Sequence, residues 1–172
     1  MSLKGKKVAV LIENFYEDME VWVPVYRLKE EGATVTLIGP KMDTYLSKHN
    51  YPAKAELGIT EARSADFDAV LIPGGYAPDH MRRSPSMVAF VRAMDKEGKI
   101  VAAICHAGWM LASANIIKGR RLTGFYSIKD DLVNAGALYE DSEVVQDKNL
   151  ITSRTPSDLP AFCRTIIAAL SK

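Results

Sequence analysis

The chain has little that would tie it to nucleic acid, membrane or the cell exterior. Its 172 residues carry 22 Lys+Arg against 21 Asp+Glu, a net charge of +1. The basic residues are interspersed with acids, so there is no electrostatic footprint for a polyanion or an anionic membrane surface. No apolar run approaches the roughly 20 residues that cross a bilayer. Residues 1–7 run directly into a strand pattern, without the order of a cleavable leader. Two cysteines, Cys105 and Cys163, cannot build a disulfide framework, and a reducing cytoplasmic setting is expected. Repeats, low-complexity tracts and linkers are absent, and a single domain over 1–172 is expected. Gly74-Gly75 has no phosphate fingerprint behind it. His49 and His80 fall in irregular segments without a third ligand at metal spacing, so neither metal nor cofactor is expected.

What is present is an alternation of short apolar runs with amphipathic stretches. Residues 7–12 are a continuous apolar run, the pattern of a strand covered on both faces; 34–38 and 68–72 read as further strands and 99–104 as a buried one. Between them, helical periodicity runs over 17–31, kinked or delayed by Pro24 and stopped by Gly32. A second helix is expected over 84–97, capped by Ser84 with Pro85 at its first position. Further helices are expected over 106–114, 127–134 and 157–170, and strands near 143–145 and 150–152. Residues 41–60 read as a loop with short exposed strands. The fold class is α/β: a mostly parallel sheet in a three-layer α/β/α sandwich of flavodoxin-like type. Sites in such sheets lie beyond the carboxyl ends of the strands. That places 13–20, 74–79 and 105–108 together.

Cys105 stands where a strand ends and a helix begins, the position of a nucleophile elbow. Such a turn needs small neighbours, and Ala102, Ala103, Ala107 and Gly108 supply them. Unpaired N–H groups at the start of the following helix favour thiolate. Together with the N–H of Gly75 they form a candidate oxyanion site. On this local pattern alone, a small buried hydrophobe is an equal reading of Cys105. His106, adjacent in sequence, is not assured of facing the sulfur. Cys163, among Phe162, Ile166 and Ile167, reads as core.

The string Ala103-Ile104-Cys105-His106-Ala107-Gly108, preceded by Leu71-Ile72-Pro73-Gly74-Gly75 and Glu17-Asp18-Met19-Glu20, resembles the ThiJ/PfpI superfamily, a class I glutamine amidotransferase-like fold. Within it, the match is to the PfpI-type branch of intracellular proteases and glyoxalase or protein-deglycase enzymes. The resemblance extends through Asn134-Ala135-Gly136 and Thr152-Ser153-Arg154-Thr155-Pro156 and covers essentially the whole chain. It implies Cys105 as nucleophile, His106 as its adjoining histidine and Glu20 as a carboxylic acid hydrogen-bonded to the sulfur. Glu17 falls at the pocket mouth. It also implies a homo-oligomer, dimer or hexamer, in which Asp79 of a neighbouring subunit contacts His106. Gly74, Gly75, Phe125 and Tyr126 are then the candidate substrate-binding residues.

Three functions follow. The first is a glutathione-independent glyoxalase or deglycase acting on reactive carbonyls in stress protection. The second is an intracellular cysteine peptidase or amidase, and the third an oxidant sensor or chaperone without turnover. An amidotransferase is disfavoured, since no His-x-Glu pair follows Asn115.

Overall fold

The computed structural model describes residues 2–172; Met1, the first residue of the expected domain, lies outside them. The apolar run at the start forms β1 (Lys7–Leu11), and Glu17 caps α1 (Asp18–Glu30) by accepting the Glu20 N–H. Then come β2 (Thr34–Gly39), a hairpin of β3 (Thr44–Leu46) and β4 (Pro52–Lys54), and β5 (Leu57–Gly58). Next are β6 (Ala69–Ile72), the short α2 (Ala77–Met81), α3 (Pro85–Lys96) and β7 (Ile100–Ile104). The chain continues through α4 (Gly108–Ser113), β8 (Arg121–Leu122), α5 (Lys129–Asn134) and β9 (Leu138–Tyr139). It closes with β10 (Val144–Asp147), β11 (Leu150–Ser153) and α6 (Leu159–Leu170).

Seven strands form the main sheet in the order β10-β11-β7-β6-β1-β2-β5, every pairing parallel except β10 with β11. Val8 to Leu11, Ala69 to Ile72 and Val101 to Ile104 are all buried, as strands covered by helices on both faces must be. Helices α1 and α6 pack together on one side. On the other, α3 lies against β6 and β7, with α4 beside it. The order reverses between β1 and β6, so the switch point opens a crevice at their carboxyl ends, next to the end of β7.

Three elements differ from the sequence reading. Residues 41–60 hold short strands as expected, but β5 joins the main sheet as a parallel edge beside β2, pairing Ile38 with Leu57 and Gly39 with Gly58. Two residues of pairing are too few to show a period. His80 is not in an irregular segment but on α2, a five-residue helix. The helix expected from His106 is preceded by a 3-10 turn, Cys105–Ala107, and α4 begins only at Gly108.

Candidate active site

Ile104 ends β7 in extended conformation, and Cys105 follows at φ +62°. That left-handed angle is uncommon for a residue with a side chain and costs about 1–2 kcal/mol. The surrounding chain is close enough to hold it. The Phe125 N–H donates to the Cys105 carbonyl at 3.1 Å, and a Cβ on Gly108 would stand 2.8 Å from Leu132 Cδ2. On the other side, a Cβ on Gly74 would meet Glu20 Oε2 at 2.6 Å and Cys105 Cβ at 2.7 Å. Only glycine lets the β6 turn approach the elbow this closely. Gly75, at φ +71°, completes the turn.

The left-handed Cys105 and the 3-10 turn after it swing His106 back onto its neighbour. His106 Nδ1 lies 3.2 Å from Cys105 Sγ, while its Nε2 lies 3.2 Å from Ser127 Oγ. Burial, and then the charge of Lys48, hold the His106 pKa below its ordinary value. The imidazole is therefore neutral at pH 7. With its proton on Nε2, donating to Ser127, the neutral ring turns the Nδ1 lone pair to the thiol; the Ser127 hydroxyl is also able to donate to Nε2 in the other tautomer. Phe125 stacks on the ring at 4.8 Å and Trp109 meets it edge-on at 5.3 Å, fixing its plane.

Glu20 comes to the sulfur from the first turn of α1. It is fully buried; Oε2 accepts the Gly74 N–H at 2.7 Å. Oε1 is buried without a hydrogen-bond partner, and the Cys105 side chain bears on the carboxyl. Burial is the main cause that raises the Glu20 pKa to about 8. The Gly74 N–H opposes this and the Glu17 charge adds to it. At neutral pH Glu20 is thus an acid with a proton to donate. Burial also pushes the Cys105 thiol up, and a charge on Glu20 would push it further, whereas the His106 and Gly75 N–H groups pull it down. The thiolate expected from the helix start alone is outweighed by desolvation. The thiol and Glu20 titrate as a pair.

The sulfur opens onto a cleft of about 350 Å³ whose walls include Glu17, Glu20, Gly75, His106 and Phe125. Gly74 acts from behind, through its N–H on Glu20. Tyr126 does not line the cleft; it packs on Phe125 and the residue is 76% exposed. Asp79, exposed on α2, makes no contact with His106 within the chain. It borders a separate hollow together with Phe15, His80 and Trp109. Cys163 is buried and unpaired in the core.

Ser127, Lys48, Tyr76 and Pro156 also belong to the site region and carry no chemical signal in the sequence. Lys48 lies in the stretch with weakest pattern. Pro156 lies within a string that carried the family resemblance but no chemistry of its own. Ser127 had no local signal.

The family model described as DJ-1/PfpI family matches residues 6–169. The deglycase PH1704 of Pyrococcus horikoshii is 42% identical over 164 residues, covering 95% of this chain and 99% of that protein. General stress protein 18 of Bacillus subtilis is 41% identical over 172 residues, covering 98% and 99%. Among solved structures, a two-domain protein of Anabaena variabilis with DJ-1/ThiJ/PfpI-like and ferritin-like domains superposes with a TM-score of 0.95 at 45% identity. The match covers 96% of this chain and 48% of that one, so the chain spans about half of that protein's length.

Proposed function

The chain belongs to the DJ-1/PfpI family, and on that premise we propose that it is a cysteine-dependent enzyme acting on reactive carbonyls, as a glutathione-independent glyoxalase or protein deglycase. The observation that carries this reading is the pair of proton-handling groups flanking one sulfur: neutral His106 at 3.2 Å and the buried acid Glu20. Chemistry on a 2-oxoaldehyde needs a nucleophile and a group that moves a proton between adjacent carbons.

His106 takes the thiol proton and the sulfur adds to the aldehyde carbon, giving a hemithioacetal. The carbon-bound proton of that centre moves to the neighbouring carbonyl carbon through His106 or Glu20, leaving a 2-hydroxy thioester. Water hydrolyses it to the hydroxy acid and frees the thiol. One water is consumed and no redox partner is required. N–H groups of Gly75 and His106 face the sulfur and stabilise charge that develops there.

Methylglyoxal consumption with lactate detection, without glutathione, tests the proposal on wild type and Cys105→Ala. Lactate from wild type, lost in the variant, is expected; no lactate from wild type overturns it. The line Cys105–His106–Ser127 also fits acyl-enzyme peptide hydrolysis, which is the second reading. We further propose a cytoplasmic homo-oligomer in which Asp79 of one copy reaches His106 of the next. Sedimentation as a monomer only at micromolar concentration would exclude that arrangement.

A further inference from the structure

One charged side chain of the cleft neither gives nor takes a proton in these steps. Lys48 is the one cationic residue lining it among the described residues, and it is exposed. Among the described residues its ammonium forms no ion pair; the salt bridges there all join other residues.

The loop that delivers Lys48 is bolted to the catalytic frame. The Lys48 N–H donates to the Tyr16 carbonyl at 3.0 Å. Tyr16 is itself bridged on one side to Ser47 and on the other to Gly75, the turn beside Cys105. Ser47, buried, donates its hydroxyl to Asp18 Oδ1 at 2.6 Å and accepts the N–H groups of His49 and Tyr51, each at 3.0 Å. His49 Nδ1 meets the other Asp18 oxygen at 2.7 Å. The backbone of Lys48 is therefore held in register with Glu20, two residues beyond Asp18, and with the Gly75 turn.

Glu17 is the other charged group in the cleft wall, but its carboxylate caps α1, accepting the Glu20 N–H at 3.0 Å at the positive end of the helix. Its carboxylate is held by the helix end, while the ammonium of Lys48 has no ion-pair partner among the described residues. The cleft of about 350 Å³ also falls within the roughly 300–1,000 Å³ range of organic-ligand sites, leaving room beyond a three-carbon aldehyde.

We infer that Lys48 is a specificity residue and that the preferred substrates are 2-oxoaldehydes bearing a carboxylate at the end away from the aldehyde. A single ammonium, without the clustered N–H groups or second cation of a phosphate site, suits one carboxylate. The inference rests on the carbonyl reading above. For 4,5-dioxovalerate the same steps add one water and give 2-hydroxyglutarate, with no external oxidant or reductant.

The experiment compares kcat/KM for 4,5-dioxovalerate with that for methylglyoxal in wild type, Lys48→Met and Lys48→Arg. The ratio should fall about tenfold in Lys48→Met, the size of one charge-assisted contact, and recover in Lys48→Arg. An unchanged ratio overturns the inference. Alkylation of Cys105 by iodoacetate relative to iodoacetamide reads the same charge without any turnover. That ratio should drop several-fold in Lys48→Met, and equal ratios in the two proteins overturn the role of Lys48. A wild type that turns over neither aldehyde removes the carbonyl reading and leaves the alkylation ratio to decide the charge of the cleft.

Discussion

Replacing Glu20 by Gln should make the protein more stable and less active, by an amount that depends on pH. A carboxyl with a raised folded-state pKa holds, in the folded chain, a proton that the unfolded chain has already released. For Glu20 this window runs from 4.5, its ordinary value, to about 8. Stability from the group is complete below pH 4.5 and drains away as the pH rises through the window. From 4.5 to 7 the loss is at most 2.5 pH units at about 1.4 kcal/mol each, and about 3 kcal/mol once the half-titrated unfolded carboxyl at pH 4.5 is counted. Glu20 is fully buried, so solvent screening does not discount it.

Gln has nearly the same shape, keeps an oxygen for the Gly74 N–H and does not ionise. The difference in unfolding free energy between Glu20→Gln and wild type should therefore grow by about 3 kcal/mol from pH 4.5 to pH 7. At roughly 2–4 °C per kcal/mol for a chain of this size, that is about 6–12 °C in Tm at neutral pH. Urea unfolding of both proteins at pH 4.5, 6, 7 and 8 measures it. Turnover should fall about a hundredfold or more, because an amide cannot carry the proton. Parallel stability curves across that range would refute a carboxyl held protonated beside the thiol.

Two other substitutions probe the geometry around the sulfur. Gly74→Ala places a methyl 2.6 Å from Glu20 Oε2 and 2.7 Å from Cys105 Cβ; it should cost about 1–3 kcal/mol of stability, measured by urea unfolding, and at least tenfold in kcat. Ser127→Ala removes the Nε2 partner of His106. It should lower kcat about tenfold and alter the pH profile of kcat/KM while the unfolding midpoint stays nearly fixed, and Ser127→Thr should restore most of the rate.

The parts of the site that sequence made legible are those with local physical causes. Continuous apolar runs mark β1, β6 and β7 because strands covered on both faces cannot carry polar residues. Ala and Gly around Cys105 mark the elbow because a tight turn leaves no room for larger side chains. His106 was ambiguous for an equally local reason: adjacent residues normally point apart, and only the left-handed angle at Cys105 brings the ring onto the sulfur. Ser127 and Lys48 reach the site through tertiary contacts with no period or cap to announce them. The thiol itself shows the limit of reasoning from one element. A helix start predicts a lowered pKa, and burial together with Glu20, a residue 85 positions earlier in the chain, raises it instead.

That raised thiol is consistent with catalysis once its two partners are considered together. A buried thiolate with an ionised Glu20 beside it would place two negative charges in a dry pocket, and the pair avoids this by retaining a proton between them. When His106 accepts the thiol proton, Glu20 is still protonated at pH 7, so its carboxyl can donate toward the sulfur instead of repelling it. The imidazole in turn can accept because burial keeps it neutral, and the tautomer that carries its proton on Nε2, toward Ser127, leaves Nδ1 as the accepting atom. The same desolvation that makes Cys105 a weak acid therefore supplies both a proton donor on one side and a proton acceptor on the other. A more exposed elbow would ionise the thiol more readily and lose the acid that steadies it.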